Sequence, residues 1–172
     1  NVKKENNKKI LFSTKFLRIS HKLPLNLRIF SGGLNSVLNG LGSRAIGGAG
    51  LVMVEASAVT PKGRISPWDL GIWDDEHINP LKNITEFIKS CGATPAIQLA
   101  HAGRKSSTDR PWAGGKSVGI DNGGWNPKAP SSIKYSNDSL LPEELSIDEI
   151  KIVISDFIDA AKRSIEAGFT AI

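Results

Sequence analysis

The sequence predicts an α/β fold: a partial (β/α)8 TIM barrel, about the first half of one. Three observations predict it. From residue 50 onward, short apolar runs alternate with amphipathic helical segments. The runs are continuous rather than alternating, as in parallel strands covered on both faces. Long polar loops follow the carboxyl ends of the runs, where α/β folds place their ligand sites. An open doubly wound sheet is the alternative, and the long loops favour the barrel.

The elements follow in order. Residues 51–56 form a short apolar run after Gly50, read as a strand. A loop of Pro, Gly, Trp and Asp continues to about Asp75. Ile78, Leu81, Ile84, Phe87 and Ile88 then recur at helical spacing. Asp74 or Asp75 can cap that helix, and Cys91-Gly92 stops it. Residues 94–100 make the next strand. Residues 101–145 are rich in Gly, Pro, Ser and Asn, and a loop this long is usually functional. Ser146-Ile147-Asp148-Glu149 is a capping box, which opens the clearest helix. Ile150, Val153, Ile154, Phe157, Ile158, Ala161 and Ile165 are its expected buried stripe. Gly168 is placed as the residue that ends it. Residues 169–172 begin a further strand. A series of this kind is half of a closed barrel, whose usual length is ~250 residues.

Composition bounds the classes. With 172 residues, 40% hydrophobic and 23% charged, the chain reads as a soluble globular domain with a real core. No apolar stretch approaches the ~18 residues that span a bilayer, so no membrane partner is expected. The charged N-terminus has no apolar h-region after it, and a cytoplasmic location is the default. Net charge is +5, and four of the 22 basic residues lie in the first nine positions, as in a solvated terminus. Nucleic-acid binding would need a basic face with motif support, and there is none. The single Cys91 excludes an intrachain disulfide and a multi-cysteine zinc site. It reads as packing, and no metal is expected.

The most informative stretch is Ile97-Gln98-Leu99-Ala100-His101-Ala102-Gly103-Arg104-Lys105-Ser106. An apolar strand hands over abruptly to polar, cationic and glycine residues. Gln98 is the one polar residue inside the apolar run. Its amide offers two donors and an acceptor in one plane, which can read the edge of a flat heterocycle. A buried glutamine could instead satisfy a neighbouring backbone group. His101 reads as a structural hydrogen-bonder rather than a base. Arg104 and Lys105 lie where a phosphate or a partner subunit could meet them, or where salt bridges would brace the loop. Glu55 needs a partner if buried, with Arg44 or Arg64 as candidates. Trp68, Trp73, Trp112 and Trp125 read as loop-packing anchors. Gly40-Leu41-Gly42-Ser43-Arg44-Ala45 fits a dinucleotide-binding pattern, but no strand ends just before it, so that reading is discounted.

Several motifs carry a family resemblance. Gly42-Ser43-Arg44-Ala45-Ile46-Gly47-Gly48-Ala49-Gly50-Leu51-Val52-Met53-Val54-Glu55-Ala56 resembles the early strand region of the Old Yellow Enzyme family, the NADH:flavin oxidoreductases. Val59-Thr60-Pro61-Lys62-Gly63-Arg64-Ile65-Ser66 and Asp69-Leu70-Gly71-Ile72-Trp73 follow in order. So do the Gln98 stretch, Ala129-Pro130-Ser131 and Glu166-Ala167-Gly168-Phe169. The resemblance covers about residues 42–172, most of this chain but only the first half of a family member. It implies an FMN-containing barrel in which NAD(P)H reduces the flavin. The flavin then passes hydride to the β-carbon of an activated alkene, a small α,β-unsaturated carbonyl compound. The cofactor carries the hard chemistry while the protein positions and tunes it. By resemblance, Gln98 hydrogen-bonds the pyrimidine edge of the isoalloxazine. Ala56 ends its strand against the flavin, where a larger side chain would collide. Ser57 could offer a hydroxyl. Family members often form dimers or tetramers.

The chain also departs from that family. Leu11-Phe12-Ser13 resembles its opening, but Leu25-Asn26-Leu27-Arg28-Ile29-Phe30-Ser31-Gly32-Gly33-Leu34-Asn35-Ser36 lacks the adjacent Asn-Arg, the flavin-wrapping turn and its cysteine. Residues 1–41 are therefore read as a divergent segment. Residues 42–172 are read as the N-terminal half of an FMN-binding barrel domain. The family's paired His-His or His-Asn residues, which hold the substrate carbonyl, would follow Ile172. No catalytic residue is assigned here, and the chain is expected to be an incomplete one, inactive alone. Two further readings stand beside this: a non-catalytic half-barrel remnant, and the N-terminal part of a 2,4-dienoyl-CoA-reductase-like flavoenzyme.

Overall fold

A computed structural model describes residues 34–172. The readings that fall on residues 1–33, including Leu11-Phe12-Ser13 and the absent flavin-wrapping turn, lie outside the described residues.

Two strands form the centre. β1 spans Leu51–Ala58 and β2 spans Thr94–Ala100, and they pair in parallel from Leu51 opposite Thr94. The expected 94–100 strand is reproduced, and the first strand runs two residues further than expected. Residues 169–172 begin a third parallel position: Ala171 bridges Ala96, and the Ile97 N–H donates to the Ala171 carbonyl at 3.1 Å. Three helices pack against this sheet: α1 (Leu34–Ile46), α2 (Ile78–Ser90) and α3 (Ile147–Glu166). The dinucleotide-like pattern of residues 40–45 lies inside α1, so it forms no phosphate-binding turn. The long loop also holds a two-residue parallel pair, β3 (Lys128–Ala129) and β4 (Glu143–Glu144).

Val52, Val54 and Ile97 share one core with Leu41 and Ala45 of α1, Leu81, Ile84 and Ile88 of α2, and Ala160 of α3. All three helices therefore cover the same face. The opposite face, carrying Leu51, Met53, Glu55 and Gln98, is exposed among the described residues. A barrel turns that face inward, whereas a doubly wound sheet would put helices on both. The strands are apolar on both faces, as read from the sequence, but only one is covered here.

Asp74 caps a short 3-10 turn, Asp75–His77, rather than α2 itself. It accepts from the Glu76 N–H at 3.0 Å, while its own N–H donates to His77 Nδ1 at 3.1 Å. The expected stripe of α3 needs correction. Ala160, Ser164 and the adjoining Ala167 are buried, while Ile154, Ile158 and Ile165 are more than half exposed. Small side chains let α3 approach the sheet closely, and its isoleucines are spread too far round the helix for one face to bury them. Thr85 ties α2 to the end of α3, its hydroxyl donating to the Ala167 carbonyl at 2.6 Å. Gly168 follows with φ +88°, as the C-terminal stop requires.

The capping box at Ser146 forms as read. The Glu149 N–H donates to Ser146 Oγ at 3.2 Å, and the Ser146 N–H to Glu149 Oε2 at 2.8 Å. Lys128 adds an ion pair to Glu149 at 2.9 Å and another to Glu143 at 2.8 Å. The Ser146 N–H first, and Lys128 second, hold the Glu149 carboxyl down at about 2, against an ordinary 4.5. A depressed carboxylate stabilises the fold fully above its unfolded value and loses that contribution as pH falls toward the folded one. Helical circular dichroism should therefore decline between about pH 4.5 and 2. Glu149→Gln should flatten that part of the curve; an identical acid titration would remove Glu149 from the account.

Candidate functional site at the strand exits

The register of β1 against β2 shifts by one residue at Glu55. Val54 stands opposite Ile97, and the next pair is Ala56 opposite Gln98. Without the shift, Glu55 would stand opposite Gln98. An inserted residue in a strand re-aims the side chains beyond it, because each one-residue step exchanges the faces. The sheet thus pairs Ala56, not Glu55, with Gln98 across the two strands. Both predicted site residues lie at the carboxyl end of adjacent strands.

Gln98 is exposed on the open face, and its amide has no hydrogen-bond partner among the described residues. Among the described residues it satisfies no neighbouring backbone group. Ser57 is different: it is fully buried, and its hydroxyl donates to the Glu55 carbonyl at 2.9 Å. Its hydroxyl is thus committed to the backbone, and it is no part of the open face. The expected ion pair of Glu55 with Arg44 or Arg64 does not form among the described residues. Desolvation first, and the like charge of Asp69 second, push the Glu55 carboxyl above its ordinary range. Arg64 instead donates to the carbonyls of Pro61 and Pro67, both at 2.8 Å, and lies over the rings of Trp125 and Trp73. Asp69 accepts from the Ile65 and Ser66 N–H groups and so shapes the loop after β1.

Two loops meet above the strand exits. The Val59 N–H donates to Ala100 O at 3.0 Å, and the Ala102 N–H to Gly63 O at 2.8 Å. His101 is the structural hydrogen-bonder the sequence indicated: its Nδ1 accepts from the Gly103 N–H at 3.1 Å. Burial lowers its imidazole pKa, and Asp156 opposes that shift. Arg104 braces the loop through hydrogen bonds to Ser131 Oγ and the Ile133 carbonyl, both at 3.0 Å, rather than through a salt bridge. Lys105 lies 4.5 Å from the centre of the Tyr135 ring. A cleft of about 440 Å³ opens beside these groups, lined by Thr60, Lys62, His101, Lys128, Glu149 and Ile152 among others. Neither Ala56 nor Gln98 lines it.

Sequence reasoning missed the organiser of the long loop. Ser107 is fully buried with φ +58°, donates to Val118 O at 2.7 Å and accepts from the Trp125 N–H at 2.8 Å. The Trp125 indole N–H donates to Lys62 O at 2.8 Å, joining the two loops. The available signal was Gly123-Gly124-Trp125, adjacent glycines leading into an aromatic anchor. Trp125 is the anchor expected, whereas Trp112 is half exposed.

The chain is similar to known proteins over most of its length. The family profile of the NADH:flavin oxidoreductase / NADH oxidase family matches residues 36–172. NADPH dehydrogenase of Bacillus pumilus is 48% identical over 130 residues, which are 76% of this chain and 34% of that protein. NADPH dehydrogenase of Bacillus subtilis is 44% identical over the same shares. The chain spans about a third of the length of the curated relatives it matches. Among solved structures, morphinone reductase superposes with a TM-score of 0.63 at 28% identity, over 80% of this chain and 37% of that one. The old yellow enzyme homologue of Zymomonas mobilis gives 0.59 at 27%, over 75% and 36%. These neighbours make the α/β architecture a partial (β/α)8 barrel. The profile match implies FMN as the family's cofactor, with NAD(P)H as hydride donor. With that profile covering most of its length, the chain belongs to the NADH:flavin oxidoreductase / NADH oxidase family, the Old Yellow Enzyme group of oxidoreductases.

Proposed function

We propose that the protein is an FMN-dependent NAD(P)H oxidoreductase of the ene-reductase type, and that this chain supplies one wall of its flavin site. The observation that carries the reading is the pairing of Ala56 with Gln98 across the register shift at Glu55. The residues fit the group chemically. A carboxamide on the open face, without a hydrogen-bond partner among the described residues, offers donors and an acceptor to a heterocycle edge, and the paired Ala56 is small enough to leave room for a flat ring. When bound, FMN supplies a two-electron carrier that takes hydride from NAD(P)H and delivers it to an activated C=C bond. Gln98 orients the ring through its amide plane. Ala56 admits the ring by being small. The loops held by Trp125 and His101 fix the strand ends that carry both. The substrate class that suits this chemistry is a small α,β-unsaturated carbonyl compound.

The test is titration of the 172-residue chain with FMN, followed by flavin fluorescence. One amide and one methyl make a small share of a flavin-sized contact, so binding is expected to be weak, on the order of 0.1 mM. Gln98→Ala should weaken it about tenfold. Unchanged affinity would take Gln98 out of the site, and no binding at millimolar FMN would overturn the proposal.

A further inference from the structure

We propose that His101 is a positioning residue: its imidazole clamps the exits of β1 and β2 together and thereby holds Gln98 in place. The second half of that statement rests on the flavin reading above; the first half does not.

The clamp is built from both loops. On one side, the imidazole lies so close to Gly63 that a Cβ there would stand 2.9 Å from His101 Cδ2 and 2.9 Å from Thr60 Oγ1. Gly63 is buried in the turn that follows β1. On the other side, Nδ1 accepts the Gly103 N–H at 3.1 Å, and Gly103 holds φ +58°. Two backbone bonds flank the ring, Val59 N–H to Ala100 O and Ala102 N–H to Gly63 O. His101 therefore packs against one strand exit and hydrogen-bonds its own, three residues beyond Gln98. An alanine could do neither.

The acceptor role specifies the ring's state. Nδ1 must carry no proton, so the neutral ring holds its hydrogen on Nε2. Protonation would place a hydrogen on Nδ1 and delete the bond to Gly103. The charged groups around the ring are Lys62 after β1, Lys128 of β3, Glu149 and Asp156 of α3, and Arg104 and Lys105 of its own turn. Lys128 and Glu149 pair with each other, and Arg104 is bonded to Ser131 and Ile133. Asp156 is the anion that favours the imidazolium. The clamp should thus hold at neutral pH and release on acidification.

The experiment uses the 172-residue chain. Ring ¹⁵N shifts of His101 report which nitrogen is protonated, and exchange of the Gly103 amide reports the bond. The expected result is a proton on Nε2 at pH 8, with Gly103 exchange rising as the ring titrates. His101→Ala should speed that exchange about tenfold, and His101→Asn, which keeps an acceptor near the Nδ1 position, should restore it. A proton on Nδ1 at pH 8, or Gly103 exchange unmoved by His101→Ala, overturns the clamp. For the link to Gln98, FMN affinity should fall with His101→Ala in the native background and not in the Gln98→Ala background. Equal losses in both would overturn that link. If the chain binds no FMN, the flavin reading fails, while the ring shifts and Gly103 exchange still decide the clamp.

Discussion

Gly124→Ala is expected to cost about 3 kcal/mol and to loosen the loop of residues 106–125. A Cβ at this position would stand 2.0 Å from the Val118 carbonyl oxygen and 2.6 Å from Ser107 Oγ. The first of these is backbone and cannot rotate away. The second is the hydroxyl that joins Val118 to Trp125. The added methyl therefore breaks the loop's organiser rather than crowding a flexible side chain. Gly119→Ala is the control. Nothing lies within 4 Å of its Cβ, and its φ of −74° suits any residue. That change should be neutral or slightly stabilising. Urea unfolding of both variants decides the matter, and equal midpoints would refute the account of the loop. Tryptophan fluorescence gives a second reading, because release of the loop exposes Trp125, which is 8% accessible in the fold.

Ile97→Ala is expected to cost about 2–5 kcal/mol, a large part of a domain's stability. Ile97 is fully buried, and its neighbour Gln98 is exposed on the other face. The two residues form an internal contrast within one strand. Ile97→Ala should lower the thermal midpoint by roughly 10 °C by opening a cavity against α2. Gln98→Ala should leave the midpoint nearly unchanged while weakening FMN. A similar thermal loss for both would mean that Gln98 belongs to the core, and the open face could not then be a ligand wall.

Much of the fold was legible because its signals are local. The 94–100 strand, the capping box at Ser146 and the stop at Gly168 each depend on a few adjacent residues whose backbone preferences agree. The helix at Ile78 was legible in its apolar period, but its cap was displaced by one turn because Asp74 serves a short 3-10 turn first. The stripe of α3 was legible only in part: Phe157 packs against the core as expected, while Ile154, Ile158 and Ile165 do not. Its apolar residues occur on several sides, so periodicity alone could not choose among them; contact with the sheet chose Ala160 and Ser164, which permit close approach. Glu55 was assigned an ion pair because an acid in an apolar run suggests burial. It stands instead at the register shift, on the exposed face, where the like charge of Asp69 reaches it.

Taken alone, the sequence determined the order of strands and helices, the handover from strand to loop after Ala100, and the family to which these motifs belong. The tertiary structure decided that Ala56 and not Glu55 stands beside Gln98, that Ser57 spends its hydroxyl on the backbone, and that His101 joins two strand exits. Register is set by hydrogen bonds between paired residues more than forty positions apart in sequence, and the displaced residue keeps the same local neighbours in either register. A shift of one residue is therefore silent in the sequence, yet it determines which residues stand opposite one another across the strands.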